Sequence, residues 1–428
     1  MADYSPPDGN RKAGKRRSDK SGKVADFRYK RSSQPKESRS ARPGRTDNSA
    51  RGKGPKSGPS VASPNPQSAA SRFKPTNKPR QNRPYPRQAY AALDLGTNNC
   101  RLLIARPSGQ NFTVIDAFSR VVKLGENLAT SGKLSNAAMD RTLAALKICA
   151  EKLQRRNVYL ARSVATEACR RASNGVAFIE RVREETGIVL DIISAQEEAR
   201  LAVLGCHILL EQGDGPAVIF DIGGGSTELV LLEPGGKVPR ILDWQSVPWG
   251  VVSLTDTVGR VEGPAEHRAR QYAKMRQVVR DSFAPFAKRI APASKHPDIR
   301  LLGTSGTVTT LASLHLELPQ YDRNQVDGLI VPSQSMRDIS TRLSGLSPED
   351  RSLVPCIGHD RSELVVAGCA ILESILDIWP AERLGVADRG IREGILRSLM
   401  AADFDSNRGR QPAEKSSEQT PKQAAAKH

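Results

Sequence analysis

The sequence predicts an α/β protein built as two similar domains facing one another across a cleft. Three observations carry this. The unit of short apolar strand, carboxylate, glycine-bearing hairpin and second apolar strand occurs twice, first as Ala92-Leu93-Asp94-Leu95-Gly96-Thr97-Asn98-Asn99 before Leu102–Ala105, then as Ile219-Phe220-Asp221-Ile222-Gly223-Gly224-Gly225-Ser226-Thr227-Glu228 before Leu229–Leu232. After each unit, strands alternate with helical stretches. Gly213-Asp214-Gly215-Pro216 breaks the chain just before the pattern restarts. Strand pairs followed by strand–helix alternation, twice over, imply two α/β domains, expected at residues 89–213 and 214–403, between tails at 1–88 and 404–428.

Order is expected to begin near Gln88. Tyr90–Asp94, Cys100–Arg106 and Phe112–Val121 read as three successive strands. A helix over about Ser135–Arg155 and a strand at Val158–Ala165 follow. Asn174 is a candidate N-cap for a helix Val176–Thr186. Val189–Ile193 reads as a strand, and Ser194 to Glu197 has capping-box form for a helix running to about Leu210. In the second half, strands at Ala217–Asp221, Ser226–Glu233 and about Arg240–Val247 precede a long helical stretch, Pro264–Ile290, with a bend expected at Pro285. Arg300–Gly303 is a strand entering a glycine turn. Arg361–Ile378 reads as one long apolar helix, Leu384–Val386 as a last short strand, and Ile391–Ala401 as the final helix.

The formal net charge of +19 is unevenly spread. Residues 1–88 hold 23 Lys and Arg against 6 Asp and Glu, a net of +17, which leaves +2 for the rest of the chain. This segment is rich in Pro, Ser, Gly, Asn and Gln and nearly free of aliphatic residues. It cannot bury enough apolar surface to offset chain entropy, so a disordered basic tail is expected. A solvated polyelectrolyte is its plain reading. A tether to RNA, a ribosome or a polyanionic substrate is the sharper one. Phe27, Tyr29, Phe73, Tyr85 and Tyr90 are too sparse for a base-stacking platform. No signal peptide is recognisable and no apolar run approaches membrane-spanning length, so a cytoplasmic protein without membrane contact is expected. Cys100, Cys149, Cys169, Cys206, Cys356 and Cys369 lack metal-ligand or redox spacing and read as reduced core thiols. The sequence does not decide between a monomer and a homodimer.

The chemistry lies in the turns. At the second hairpin, Gly223, Gly224 and Gly225 let the backbone approach phosphate oxygens, with Ser226 and Thr227 beside them. Asp221 and Glu228 flank the turn, where each would supply oxygen to a divalent ion directly or through water. An ordinary glycine hairpin with edge carboxylates is the plainer alternative, and the matching loop at Asp94, Gly96, Thr97 and Asn98 argues against it. Two such loops facing each other would clamp a phosphate chain and its metal, the site of a phosphate-anhydride enzyme. In Ser194-Ala195-Gln196-Glu197-Glu198, Glu197 is explained as a cap partner. Glu198 is either a first-turn acid favoured by the helix dipole or the base that takes a proton from attacking water. Ser305-Gly306-Thr307 follows a strand and opens a helix, which suits an anion or makes a simple βα turn. Arg170 ends a strand, placed for a phosphate or for a surface ion pair.

Together these segments resemble the exopolyphosphatase and guanosine pentaphosphate phosphohydrolase family, in the superfamily of actin-like (ribonuclease-H-like) folds, over roughly Ala91 to Leu399. The first phosphate loop of that family corresponds to Asp94–Asn99, with Thr97 in place of its usual serine. Its Thr-Ser-Ala-x-Arg strand end is Thr166-Glu167-Ala168-Cys169-Arg170 here, so Glu167 replaces a small hydroxyl residue. The Glu-Glu-Ala-Arg helix start is intact and implies Glu198 as catalytic glutamate. The second loop matches in full and implies Asp221, Gly223 and Glu228 as ion and phosphate ligands. Ser305-Gly306-Thr307 is intact, Arg361-Ser362-Glu363 is similar to an Arg-Ala-Asp helix start, and Arg389-Gly390-Ile391-Arg392-Glu393-Gly394 to a late glycine-rich one. Long members carry a further helical domain with a His-Asp metal motif. The chain shows none and resembles the short members, so processive digestion of very long chains is not expected.

The resemblance implies magnesium-assisted hydrolysis of a terminal phosphoanhydride, in inorganic polyphosphate or at the 5′ end of guanosine pentaphosphate. A kinase or ATPase on the same scaffold is one rival, because fold does not fix function. A non-enzymatic RNA- or polyphosphate-binding protein working through residues 1–88 is another.

Overall fold

The computed structural model describes residues 88–408 apart from residue 110 and residues 234–238. The expectations for the basic tail and for the chain beyond residue 408 lie outside the described residues. The described strands form two sheets. The first contains β1 (Ala89–Leu95), β2 (Asn99–Ser108), β3 (Asn111–Val121), β4 (Val158–Ala165) and β5 (Leu190–Ile192), in the order β3-β2-β1-β4-β5. The second contains β6 (Ala217–Ile222), β7 (Thr227–Leu232), β8 (Ile241–Val247), β9 (Arg300–Thr304), β10 (Ile330–Pro332) and β11 (Arg383–Ala387), in the order β10-β11-β9-β6-β7-β8. In each sheet an antiparallel three-strand meander continues into two parallel strands. The duplication expected from the two hairpins is therefore present strand by strand. The extra edge strand β10, antiparallel to β11, has no counterpart in the first sheet and no sequence-based expectation.

Burial explains the sequence patterns. β1 and β7 are apolar runs buried on both faces, as central strands require. β3 is an edge strand with most of its polar residues exposed. Helices Asn136–Arg155 and Gly175–Thr186 cover one face of the first sheet. Helices Ala265–Ser294, Gly306–His315 and Val365–Ile378 cover one face of the second.

The opposite faces meet through two helices that cross. Ala195–Cys206 precedes the Gly213 break yet packs on β6, β7 and β8, whereas Ile391–Arg408 ends the described chain and packs on β1, β2 and β4. Their contact is backbone-close. A Cβ added at Gly394 would lie 2.0 Å from the Leu201 carbonyl oxygen, and one at Gly205 would lie 1.9 Å from that of Gly390.

Several elements differ from expectation. The side chain of Asn174 does not cap its helix but bonds the backbone N and O of Leu134, tying two segments together. Ser194 caps its helix through Glu197 N, but the Glu197 carboxylate turns to Arg162 and Arg200, so the capping box is only half made. That helix ends at Cys206, followed by a 3₁₀ turn at His207–Leu209. The helix expected over Pro264–Ile290 runs Ala265–Ser294, continuing through Pro285 as expected and also past Pro292. The expected helix Arg361–Ile378 is two, His359–Ser362 and Val365–Ile378. The final helix reaches Arg408, past the 403/404 boundary expected for the tail. Helices Val251–Val258 and Ser333–Gly345 were not anticipated. Among the described residues no helix is long and apolar enough to cross a membrane. The cysteines are unbridged, and all but Cys356 are fully buried.

Candidate active site

The two hairpins share one register. Asp94 pairs with Arg101 and Leu95 with Cys100 in the first, as Asp221 pairs with Glu228 and Ile222 with Thr227 in the second. In each, the turn closes through one 2.9 Å bond, Gly96 N to Asn99 O and Gly223 N to Ser226 O. The turn carbonyls are satisfied from outside. Asn98 O accepts from Val122 N and Lys123 N, and Thr97 O from Gly125 N. Gly223 O accepts from Val251 N, and Gly224 O from Val252 N and Ser253 N, at the start of helix Val251–Val258. Among the described residues the N–H groups of Thr97, Asn98, Gly224 and Gly225 have no backbone acceptor. A tight turn whose carbonyls are tied back and whose N–H groups are free is an anion nest.

The hairpins touch. A Cβ at Gly224 would lie 3.0 Å from Thr97 Cβ and 3.2 Å from Asn98 N, and one at Gly225 would lie 2.6 Å from Thr97 Oγ1. This is why the second turn is built of glycines. Both hairpins line one cavity, together with Glu198 from helix Ala195–Cys206 and Ser305, Gly306 and Thr307 from the start of helix Gly306–His315. Asp94, Gly96, Thr97, Asn98, Asp221, Gly223, Gly224, Gly225, Ser226 and Glu228 are all in its wall.

Two expected phosphate contacts are not brought there. Thr227 is fully buried, and its hydroxyl donates to Trp249 O at 2.7 Å. Side chains alternate along a strand, so with Glu228 facing the cavity Thr227 must face away. Arg170 stands behind the wall. Its Nη1 donates to Glu198 Oε2 at 3.1 Å and to Ile193 O at 2.8 Å, and its Nε and Nη2 donate to Glu167 Oε2. It holds carboxylates rather than presenting a free fork.

The cavity also contains Arg101, Glu167, Thr310 and Arg361, which were not among the predicted site residues. Arg101 and Arg361 also line a second cavity with Arg323, Arg389 and Arg392 that shares the Asp94 and Asp221 wall. Arg101 is the cross-strand counterpart of Glu228, and the equal seven-residue spacing from Asp94 and from Asp221 is the signal that would have found it.

Asp94, Glu198, Asp221 and Glu228 crowd this space, and each is pushed above its ordinary value. Burial is the first cause for all. For Glu198, raised well above 4.5, the second is the Glu228 charge, with Arg170 opposing. Asp221 rises to about 7 through burial and Glu198, with Arg101 opposing. Glu228 rises to about 7 through burial and Asp221, against hydrogen bonds from Ser226 (2.7 Å) and Ser246 (2.9 Å). Asp94 is raised by burial and held back mainly by Arg101. Groups poised in this way cluster at functional sites.

The donor set suits a hard divalent cation. Asp94, Asp221 and Glu228 offer oxygen, and Asn98 Oδ1 is buried with no hydrogen-bond partner. Among the described residues no three His, Cys, Asp or Glu are gathered closely enough to hold a metal ion by themselves. A divalent ion held by these oxygens would therefore have to take most of its ligands from water and phosphate.

The raised carboxyls have a stability consequence. A carboxyl whose folded pKa lies above its unfolded value stabilises fully below the unfolded pKa and loses that stability as pH rises through the folded one. For Asp221 the window runs from 3.8 to about 7. Metal-free Asp221→Asn is therefore expected to melt above the parent at about pH 8, with the gain shrinking as pH falls toward about 5. Scanning calorimetry across pH in chelator checks this, and a gain independent of pH would contradict it.

Residues 103–403 match the Ppx/GppA phosphatase family. Exopolyphosphatase 2 of Mycobacterium tuberculosis is 28% identical over 326 residues, covering 72% of this chain and 98% of that protein. A putative exopolyphosphatase of Haemophilus influenzae is 29% identical over 313 residues, covering 72% and 90%. Among solved structures, a Ppx/GppA family member from Aquifex aeolicus superposes with a TM-score of 0.60 at 28% identity, over 74% of this chain and 98% of that one. An exopolyphosphatase from Cytophaga hutchinsonii gives a TM-score of 0.66 at 24% identity over 74% and 98%, a likeness of fold.

Proposed function

The chain belongs to the Ppx/GppA phosphatase family, and from that premise we propose that it is a phosphoanhydride hydrolase that removes terminal orthophosphate from inorganic polyphosphate. The observation that carries the reading is the placement of Glu198, a buried glutamate of raised pKa, in the wall between two anion nests. The nests and the N-terminus of helix Gly306–His315 would take the phosphate oxygens. Glu198 would orient water and accept its proton as the water oxygen bonds to the terminal phosphorus. The bridging oxygen then leaves with the shortened chain. A bound Mg²⁺, held by Asp221 and Glu228 with Asp94 and Asn98 nearby, would neutralise charge on the transferring phosphoryl group. Arg170 keeps the base in place.

Asp221→Asn and Glu228→Gln are each expected to raise the magnesium concentration needed for half-maximal rate. Because protons compete for these carboxylates near pH 7, the parent's requirement should itself fall as pH rises from about 6 to about 8. Magnesium titrations at several pH values check both, and identical curves in both variants would remove the pair from the ion site. The function itself is tested by hydrolysis of short polyphosphate, long polyphosphate and guanosine pentaphosphate side by side. Orthophosphate released from polyphosphate without any acceptor is expected. No release from either polyphosphate would overturn the reading.

A further inference from the structure

We propose that Glu167 is a positioning residue that keeps the base competent by dividing the Arg170 guanidinium. This rests on the reading of Glu198 as general base. Glu167 opens the short helix Glu167–Arg171 and is almost fully buried. Its Cγ lies where a Cβ at Gly225 would come within 2.9 Å, so its stem packs directly on the second hairpin. Its Oε2 takes both Nε and Nη2 of Arg170, at 3.1 and 2.5 Å. Arg171 Nε stands 3.7 Å from Oε1.

This consumes one whole edge of the guanidinium. What is left for the base is Nη1, which is shared between Glu198 Oε2 and the Ile193 carbonyl. Glu198 therefore receives one hydrogen bond from Arg170 rather than a two-pronged clamp. Its Oε1 has no hydrogen-bond partner among the described residues and stays available to a water in the cavity. A fork engaged by both prongs is the strongest arrangement an arginine makes with a carboxylate. If Glu167 were absent, the Nε and Nη2 edge would have no other carboxylate and would turn to Glu198. That would occupy both carboxylate oxygens and stabilise the base's charge, weakening it as a proton acceptor. Because Glu167 also rests on Gly225, the same contact ties the position of the base to the hairpin that takes the phosphate.

The test is steady-state kinetics on tripolyphosphate at saturating magnesium, for the full chain and four variants: Glu167→Ala, Glu167→Gln, Glu198→Gln and the double variant Glu167→Ala/Glu198→Gln. Glu167→Ala is expected to lower kcat by about 10- to 100-fold with KM within about twofold of the parent. Glu167→Gln keeps an oxygen for Nε and Nη2 and should lose less. If Glu167 acts through the base, adding Glu167→Ala to Glu198→Gln should produce no further loss. Parent-like kcat in Glu167→Ala, a full additional loss in the double variant, or an effect confined to KM or to the magnesium requirement would each overturn the proposal. If Glu167→Ala melts early, Glu167→Met replaces it: it fills the buried volume, offers no oxygen to Nε and Nη2, and should lose kcat as Glu167→Ala is expected to. Parent-like turnover in Glu198→Gln would remove the base assignment itself, a failure separable from that of Glu167.

Discussion

Glu198→Gln is expected to fold and bind substrate as the parent does and to lose turnover by about 10²–10⁴-fold, the range for removal of a general base. The glutamine is isosteric and keeps an oxygen for the 3.1 Å bond from Arg170 Nη1, but it cannot take a proton from water. The substitution also removes a buried charge that repels Glu228, so melting at neutral pH should be equal to the parent or higher. Loss of turnover with an unimpaired melting temperature separates a chemical from a structural cause. Near-parent turnover would end the assignment.

The hairpins were legible because their requirements are local. A carboxylate at a strand end and glycines where a side chain would collide can be read from a few consecutive residues, and so can the repeat that pairs Asp94 with Asp221. The parallel strands Val158–Ala165 and Arg300–Thr304 were legible for the same reason, as short apolar runs between breakers. What could not be read depends on partners distant in the chain. Arg170 looks like a phosphate fork until Glu198, 28 residues on, is found against it. Arg101 was hidden by a reversal of charge, since its counterpart in the second hairpin is Glu228. Thr227 could have been excluded, because strand alternation alone sets it opposite Glu228. Helix Val251–Val258 is rich in β-branched residues, whose intrinsic preference opposes a helix. It forms because its first N–H groups are fastened to the Gly223 and Gly224 carbonyls, a tertiary contact that outweighs propensity.

That last contact carries the second large prediction. Gly250→Ala is expected to reduce kcat/KM on tripolyphosphate by about 10²-fold or more and to destabilise the fold by about 1–3 kcal/mol. Gly250 caps helix Val251–Val258 with an extended backbone, φ −117° and ψ −177°, so any residue could adopt its conformation and the difficulty is space. An added Cβ would lie 2.4 Å from the Gly224 carbonyl carbon, 2.5 Å from Gly223 O and 2.6 Å from Gly224 O. All three are backbone atoms and none can swing aside. The helix start must move off the hairpin, and the bonds from Val251, Val252 and Ser253 N–H to those carbonyls stretch or break. Released carbonyls let the turn rotate, and the free N–H groups of Gly224 and Gly225 lose their common aim. An anion nest depends on that aim, so phosphate capture should suffer as well as rate, unlike in Glu198→Gln, where capture is kept. Kinetics with binding of a non-hydrolysable polyphosphate analogue, alongside calorimetry, reads all three effects. Parent-like kinetics in a well-folded Gly250→Ala protein would mean that the helix start does not set the hairpin.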